Sequence, residues 1–346
     1  MTGIRTPAWS VAVLPGLGYA ARRLFATVVV LLIIAVLTFL IFHALPSDVS
    51  LASCGKPCTA QRRAEVRHFL GYDRAWYVQL GQFLLGIVAG RTYGSGSAQV
   101  HCGAPCFGYS FRLDESVTSV VGDRFAVTAS IAIGAAVIWL LFGVVTGVVA
   151  AVRRGTWVDR AALASTVVGV SAPTYLVGLV GIYLLGFKAN VLPVGNYVPL
   201  TQNVGQWAYH LVLPWLVLAF TSAAAYTRYT RNQVAEVLGE DFIRTARAKG
   251  LRERQVLLRH GLRNGLLPVI TLFGIDLGVL LGGAVITERI FSMQGLGALL
   301  VDSVYNVDLP VVLGIALFSA FLIILANLVV DLVYALLDPR TAATGS

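Results

Sequence analysis

Six long apolar segments alternate with polar stretches along the chain. They lie at about residues 24–45, 126–152, 161–187, 209–229, 266–290 and 311–337. The hydrocarbon core of a bilayer is about 30 Å thick, so a helix needs about 20 apolar residues to cross it. Pro214 interrupts the fourth segment, but membrane helices tolerate proline where neighbouring helices satisfy the freed backbone groups. The pattern therefore predicts an all-α polytopic membrane protein with six transmembrane helices.

The first apolar segment is expected to be a retained helix and not a cleaved signal. The apolar region of a secretory signal has only about 7–15 residues and is followed by a cleavage site with small residues. The segment 24–45 is longer and continues into Pro46. We therefore interpret residues 1–23 as an N-terminal segment and residues 24–45 as the first transmembrane helix.

The distribution of charge predicts the orientation. Only 12% of the residues are charged and the net charge is +9, whereas about a quarter of residues in soluble proteins are charged. Lys and Arg are enriched in the cytoplasmic loops of membrane proteins, and most of them here fall in 1–23, 153–160, 228–265 and the tail 338–346. Both termini are therefore predicted to be cytoplasmic. Because no cluster of aromatic and basic residues accompanies the charge, we do not expect nucleic acid as a partner.

The long segment 46–125 then lies outside the membrane as an extracytoplasmic subdomain. It holds all the cysteines of the chain, in two similar CGxPC motifs, namely Cys54, Cys58, Cys102 and Cys106. Paired motifs in an oxidising compartment favour disulfides. Of the three connectivities, we favour bridges between the two motifs over bridges within each. A metal or iron–sulfur site is the alternative, with His101 as the only obvious further ligand.

A polar stretch, Glu236 to Pro268, interrupts the apolar pattern on the predicted cytoplasmic side. Its charged residues are Arg244, Arg247, Lys249, Arg252, Arg254, Arg259, Arg263, Glu236, Glu240, Asp241 and Glu253. Basic residues here also obey the inside-positive bias or contact anionic lipid. Scattered basic residues would be enough for the inside-positive bias or for contact with lipid. The regular spacing of the residues around them indicates instead a folded surface that could bind a partner.

The same stretch predicts a helix, a turn and a second helix. Five residues recur at helical spacing and predict an amphipathic first arm: Val234, Leu238, Phe242, Thr245 and Ala246. Gly250 can adopt the left-handed conformation that ends a helix. Residues 251–264 can form the second arm.

Asp276 lies in the middle of the fifth apolar segment, where an ionisable side chain is costly and is functional by default. Two roles stay open, because it can face a translocation pathway or bond a neighbouring helix. Gly274, Gly278 and Gly282 recur every four residues on the same segment. This spacing permits the close approach of another helix.

Enzymatic motifs are missing from the sequence, which has no HExxH, no GxSxG and no nucleotide-binding loop. We therefore expect no catalytic residue, metal or cofactor in this chain. The energy for its activity is then expected to come from another subunit. Intramembrane carboxylates are too few for an ion-coupled relay. Two other classes of membrane protein would leave different signatures. A secondary transporter would carry more intramembrane charge, and a membrane scaffold would not stimulate ATP hydrolysis by partner subunits.

The polar stretch resembles the cytoplasmic EAA loop of ABC-importer permeases. The matching residues are Asp241–Leu251 (DFIRTARAKGL), His260–Asn264 (HGLRN) and Pro268. ARAKGL followed by RHxLRN is similar to the dipeptide, oligopeptide and nickel permease family, in particular its B-type subunit. Further matches run in collinear order over most of residues 20–340 and comprise Leu70–Arg74 with Gln79, Phe107–Ser110, Gly169–Pro173, Leu192–Gly195, Glu288–Phe291 with Gly295 and Gly297, Asp308–Pro310, and Asp331 with Asp338–Arg340.

Two departures from the family pattern concern the outer segment. Residues 45–48 read LPSD where the family usually has PGDP, and the paired CGxPC motifs look like an insertion. The resemblance implies an ABC type I importer-like permease fold in a bacterial cell membrane. Residues 126–337 would form the permease core, and 231–265 its coupling loop on an ATPase. The residues implied in that coupling are Asp241, Phe242, Thr245, Ala246, Arg247, Ala248, Lys249, Gly250, Leu251, His260 and Asn264.

The resemblance also implies partners and a substrate. The partners are a second homologous permease, two cytoplasmic ABC ATPases that bind ATP and Mg²⁺, an extracytoplasmic substrate-binding protein and the lipid bilayer. The expected substrate is an oligopeptide or dipeptide, and nickel, haem or a glycan fragment are the alternatives within the family. The outer subdomain would meet the binding protein or cap the pathway, and residues 291–308 would form a re-entrant or interfacial scoop.

Overall fold

The computed structural model describes residues 14–44, 58–71, 73–94 and 99–337. Most of the predicted N-terminal segment, Cys54 and the predicted tail 338–346 lie outside the described residues. In chain order the elements are α1 (Leu14–Ala44), α2 (Ala60–Leu70), α3 (Trp76–Ala89), β1 (Arg91–Tyr93), β2 (Val100–Cys102), β3 (Tyr109–Ser110), β4 (Glu115–Ser116), α4 (Val117–Val152), α5 (Trp157–Ser171), α6 (Thr174–Gly181) with a π-helical continuation (Ile182–Lys188), α7 (Val204–Val237), α8 (Asp241–Ala248), α9 (Glu253–Gln255) with a π-helical continuation (Val256–Gly261), α10 (Leu262–Gly265), α11 (Leu267–Leu281), α12 (Val285–Ile290), α13 (Leu296–Tyr305) and α14 (Leu309–Leu337).

Three helices are long and apolar enough to cross a membrane, namely α4, α7 and α14. Two bent pairs of helices meet the same criterion when each pair is taken together, so the described part of the chain holds up to five spans. Helix α1 carries a shorter apolar stretch, Phe25–Ile41. The chain is therefore a mostly helical, multi-pass membrane protein, and the count of six stays a prediction.

The third predicted segment, 161–187, is not one straight helix. Helices α5 and α6 are bent by 94° relative to each other, at Ala172 and Pro173. Proline lacks the backbone N–H and also disfavours the helical conformation of the residue before it. Ala172 is accordingly extended, with φ −80° and ψ 116°. The prediction of a continuous helix was wrong here because apolar residues continue across the proline.

The fifth predicted segment, 266–290, divides at a pair of glycines. Helix α11 ends at Leu281 and α12 begins at Val285. Gly283 between them has φ +141°, a conformation that favours glycine. A Cβ on this glycine would lie 2.8 Å from the backbone of Gly297. The segment after Leu281 therefore belongs to a compact cap of short helices, α12 and α13, and not to the long helix that the hydropathy predicted.

Helices α4 and α7 form the centre of the core. Trp139 of α4 is fully buried, with its ring 6.2 Å from that of Tyr226 on α7. Two glycines of α4 bring the helix axes together. A Cβ on Gly143 would lie 2.6 Å from the Tyr226 Cβ, and one on Gly147 would lie 2.7 Å from the Thr227 carbonyl oxygen. Larger residues at these positions would force the two helices apart.

The glycine face of α11 packs against α14, as its spacing predicted. Val330 occupies the space beside Gly274, and a Cβ on Gly278 would lie 3.0 Å from the Ile323 Cα. At the end of the face, the Ser319 hydroxyl donates to the Gly282 carbonyl oxygen at 3.1 Å. The order of these contacts shows that α11 and α14 run antiparallel.

Residues 58–116 include a small separate cluster made by α2, α3 and two β-hairpins. In the hairpins, β1 pairs with β2 and β3 pairs with β4, both antiparallel. Val66 and Leu70 of α2 are buried against Tyr93 and Tyr109. The ring of Phe69 lies 5.4 Å from that of Tyr109. The predicted outer subdomain thus has an apolar centre of its own within its described part.

The favoured bridge between the two cysteine motifs is wrong for the second motif. Cys102 is bonded to Cys106, because the turn after β2 brings their Cα atoms within 5.6 Å, a separation suited to a disulfide. Cys58 is also disulfide-bonded. Since both sulfurs of the second motif are bonded, they do not serve as thiolate ligands of a metal.

Gly278→Val tests the contact between α11 and α14. The added methyl groups would collide with the backbone of Ile323 and with Ala326, and overpacking of this kind costs about 1–3 kcal/mol. We expect a lower midpoint of thermal unfolding for the detergent-purified protein. Gly122→Val is the matched control, since a Cβ on this helical glycine would meet no described atom within 4 Å. Equal destabilisation by both variants would contradict the packing described here.

Candidate functional site

The predicted coupling loop, 231–265, does not have the continuous first arm that its spacing predicted. Helix α7 ends at Val237, and α8 begins only at Asp241. Val234 is fully buried, whereas Phe242 is 43% exposed. The turn at residues 238–240 changes the direction of the chain, so these two residues do not share one helix face. The helical period continues across the turn, which is why the sequence suggested a single arm.

The predicted turn at Gly250 is confirmed. Its φ is +77°, and its N–H donates to the Arg247 carbonyl oxygen at 2.9 Å. A Cβ would meet no described atom within 4 Å, so the backbone conformation alone favours glycine. Across the turn, the Arg247 guanidinium donates to both carboxylate oxygens of Glu253, at 3.1 and 2.7 Å. This pair joins the end of α8 to the start of α9.

Three buried apolar residues hold α8 against the second arm. Ile243 and Val256 are fully buried and Ala246 is 7% exposed, and together they form a separate cluster. Ala246 therefore points into the loop itself, although it belongs to the set predicted to contact an ATPase. Its place in the structure indicates that it maintains the shape of the loop.

Most other residues of that predicted set lie on the surface of the loop. Phe242 and Leu251 are 43% and 39% exposed, and nearby Leu258 is 52% exposed. The exposed polar and small members are Asp241, Thr245, Arg247, Ala248, Lys249, Gly250 and Asn264, and His260 is partly buried. The loop thus exposes two apolar side chains, Phe242 and Leu251, together with the cationic side chains around the turn.

A buried ion pair that the sequence did not reveal lies at the base of the coupling loop. The Arg231 guanidinium, at the end of α7, donates to both carboxylate oxygens of Asp159 on α5, at 3.0 and 2.8 Å. The Gly155 N–H donates to the same carboxylate at 2.9 Å. The two side chains are only 16% and 5% exposed. The only signal in the sequence was Asp159 itself, a single acidic residue in the otherwise basic segment 153–160.

Asp276 bonds a neighbouring helix. The Tyr226 hydroxyl on α7 donates to the Asp276 carboxylate at 2.7 Å. This contact realises one of the two roles left open for the residue. Whether Asp276 also faces a pathway stays a prediction.

At the opposite end of α4, Glu288 of α12 is the centre of a second buried network. It is fully buried and accepts hydrogen bonds from the Thr128 hydroxyl at 2.9 Å and from the N–H groups of Ala284 and Ala298 at 3.1 and 2.8 Å. The Leu296 N–H donates to the Thr128 oxygen at 2.8 Å. Glu288 therefore ties both short helices of the cap to α4.

Two segments that the sequence resemblance singled out meet beside this cap. The Ser110 hydroxyl of β3 donates to the Asp308 carboxylate in a short hydrogen bond. Burial raises the pKa of Asp308, while this hydrogen bond and the charge of Arg112 oppose the shift. A Cβ on Gly108 would lie 3.0 Å from Pro310 Cβ. The hairpin β3–β4 is thus fastened to the start of α14.

Asp159→Ala tests the ion pair at the base of the coupling loop. Removing one partner leaves the Arg231 charge buried without compensation, which costs about 3–5 kcal/mol. We expect a large drop in the unfolding midpoint of the purified protein and recovery in the charge-exchanged double variant Asp159→Arg with Arg231→Asp. The control is Asp241→Ala, because its pair with Arg244 is exposed and contributes about 0–1 kcal/mol. A similar small effect at both sites would contradict the prediction.

Comparison with known proteins identifies the family. The family model described as "Binding-protein-dependent transport system inner membrane component" matches residues 143–343, and the model for the N-terminal part of such membrane components matches residues 17–132. A putative peptide transport system permease protein of Brucella abortus is 35% identical over 319 residues, which is 92% of this chain and 97% of that protein. The glutathione transport system permease protein GsiC of Salmonella choleraesuis is 36% identical over 323 residues, 93% of this chain and 98% of that protein. The chain therefore belongs to the ABC-importer permeases, the inner-membrane components of binding-protein-dependent transport systems.

Proposed function

We propose that this chain is the permease subunit of a peptide importer and forms half of its translocation pathway. The observation that carries the proposal is similarity of 35–36% over nearly the whole length of relatives named as peptide and glutathione permeases. Glutathione is itself a tripeptide, so both names refer to peptides. A second homologous permease would complete the pathway, and an extracytoplasmic binding protein would deliver the substrate. ATP and Mg²⁺ would bind to two separate ATPase subunits.

The helix directions support six spans with both termini in the cytoplasm. Helices α4 and α7 run parallel, because Trp215 donates to the Ser130 carbonyl oxygen near one end and Thr227 contacts Gly147 near the other. A chain that crosses twice in the same direction must return in between. The bent pair α5–α6 provides that return. With α11 and α14 antiparallel and α1 as a further span, the two ends of the chain fall on one side, where most basic residues lie.

The coupling loop is proposed to dock in a groove on an ATPase subunit. Phe242 and Leu251 would be the buried part of that contact, and the exposed Lys249 and Arg252 would lie at its margin. A helix that inserts an apolar face into a groove is a common mode of recognition. The Arg247–Glu253 pair and the cluster around Ala246 keep the loop in one shape before docking, which reduces the entropy lost on binding.

Transport requires that the docked loop moves the transmembrane helices. A conformational equilibrium shifts only when a partner interacts differently with its two states. We propose that ATP binding changes the separation of the ATPases and so displaces α8. The Arg231–Asp159 pair would pass this displacement to α5, while α7 carries it directly to α4. The two permease subunits would then reorient around the central pathway.

Leu251→Asp tests the docking of the coupling loop. A charge at this exposed position leaves the interior of the loop intact but would be buried without a partner on docking. We expect the purified permease to lose its ATPase subunits and its transport activity while its unfolding midpoint stays unchanged. Leu200→Asp is the matched control, because Leu200 is similarly exposed at 47% and lies on the proposed outer side, before α7. Ala246→Asp is unsuitable, since it would bury a charge inside the loop.

Uptake by the reconstituted transporter tests the substrate. The complete complex in proteoliposomes, supplied with its binding protein and ATP, is expected to accumulate radiolabelled tri-alanine. Unlabelled glutathione and dipeptides serve as competitors, and Ni²⁺, haem and a muropeptide serve as the probes for the alternative substrates. ATP-dependent uptake of one of those probes, without uptake of any peptide, would contradict the proposal.

A further inference from the structure

A polar pocket of about 560 Å³ opens beside the cap of short helices. Its walls come from the β3–β4 turn, from α4, and from the segment that runs from α12 through α13 to Asp308. Pockets that bind small molecules typically measure about 300–1,000 Å³. The space is therefore large enough for the end of a short peptide.

All three carboxylates that line the pocket already have partners. Glu288 is fully buried and accepts hydrogen bonds from Thr128 and from two backbone N–H groups. Asp308 is 5% exposed and accepts from Ser110. Asp302 pairs with Arg289 at 2.6 Å. Arginines and carboxylates are equal in number in the lining, but Glu288 and Asp308 are buried and their oxygens already accept hydrogen bonds.

Two of the lining arginines, Arg112 and Arg124, have no carboxylate as a hydrogen-bond partner within the described residues. Arg112 is exposed, and Arg124 is partly buried. Arg124 donates only to neutral groups of Gln294, its side-chain oxygen and its carbonyl oxygen. The charge of Arg112 acts on Asp308, but within the described part of the chain neither arginine forms an ion pair. A guanidinium has five N–H donors and binds carboxylates in a two-pronged geometry, so both retain donors for an anionic ligand.

We propose that this pocket is a carboxylate-binding subsite, formed by Arg112 and Arg124, that receives the C-terminal carboxylate of the transported peptide. The inference rests on the proposed function and specifies which end of the peptide the permease holds. A concave space with polar walls suits the end of a small flexible molecule, whereas a binding protein would cover a wide and flatter surface. The subsite lies beside the cap that Glu288 attaches to α4, so a bound peptide contacts the part of the chain that is fixed to the core.

The test is equilibrium binding to the purified transporter complex, without binding protein, in nanodiscs of zwitterionic lipid. Tri-alanine and tri-alanine amide differ only in the carboxylate. We expect wild-type protein to bind tri-alanine at least about tenfold more tightly than the amide, a difference of about 1.4 kcal/mol. Arg112→Gln and Arg124→Gln should remove this preference. Lys188→Gln is the control, because it removes an exposed positive charge on the proposed outer side but does not line the pocket.

Other outcomes overturn the inference. Equal affinity of wild-type protein for both peptides would do so, and so would a preference that survives in both arginine variants. No detectable binding of either peptide at millimolar concentration, where weak complexes with a dissociation constant of about 1 mM are still seen, would do the same. Weaker docking of the binding protein in the variants, with unchanged peptide binding, would assign the arginines to that protein's carboxylates instead. If Arg124→Gln does not fold, the exposed Arg112 decides alone. Failure of the proposed function is separate, because wild-type proteoliposomes would then not take up tri-alanine.

Discussion

The close contact between α4 and α7 is the constraint on which the arrangement of the molecule depends. Gly143 and Gly147 leave room for the backbone of α7, and the hydroxyls of Thr146 and Thr227 lie 2.6 Å apart within the contact. In a lipid environment there is little hydrophobic drive between helices, so van der Waals contact and hydrogen bonds must hold them together. Because their backbones approach this closely, α4 and α7 form one tightly packed unit.

That unit reaches both ends of the molecule. Near one end, Arg231 continues α7 into the coupling loop and pairs with Asp159 of α5. Near the other end, Thr128 of α4 holds the cap through Glu288. The two networks differ in kind, because one is an ion pair between helices and the other is a carboxylate that satisfies backbone N–H groups. Both are buried, so breaking either would cost roughly several kcal/mol of folding free energy by leaving polar or charged groups unpaired.

Hydropathy predicted where the apolar helices lie, but it did not predict where they end. The period of apolar residues takes no account of backbone geometry, so segment 161–187 was expected to continue through Pro173 and segment 266–290 through Gly283. The glycines did predict the left-handed turn at Gly250 and the packing face around Gly278. Glycine has no Cβ, so it can adopt a positive φ and allows another backbone to approach closely. The turn of the polar stretch was therefore located correctly, whereas the inward position of Ala246 was not predicted.

Partners distant in sequence could not be predicted, because a single sequence does not state which charged residues meet. Asp159 and Arg231 are 72 residues apart, and Thr128 and Glu288 are 160 apart. The second pair connects the cap to a helix of 36 residues, which at 1.5 Å per residue is about 54 Å long. In the proposed orientation, a small tilt of such a long helix about its cytoplasmic end displaces its outer end. Attachment of the cap to α4 would therefore transmit a movement of the proposed coupling loop to the opposite end of the molecule.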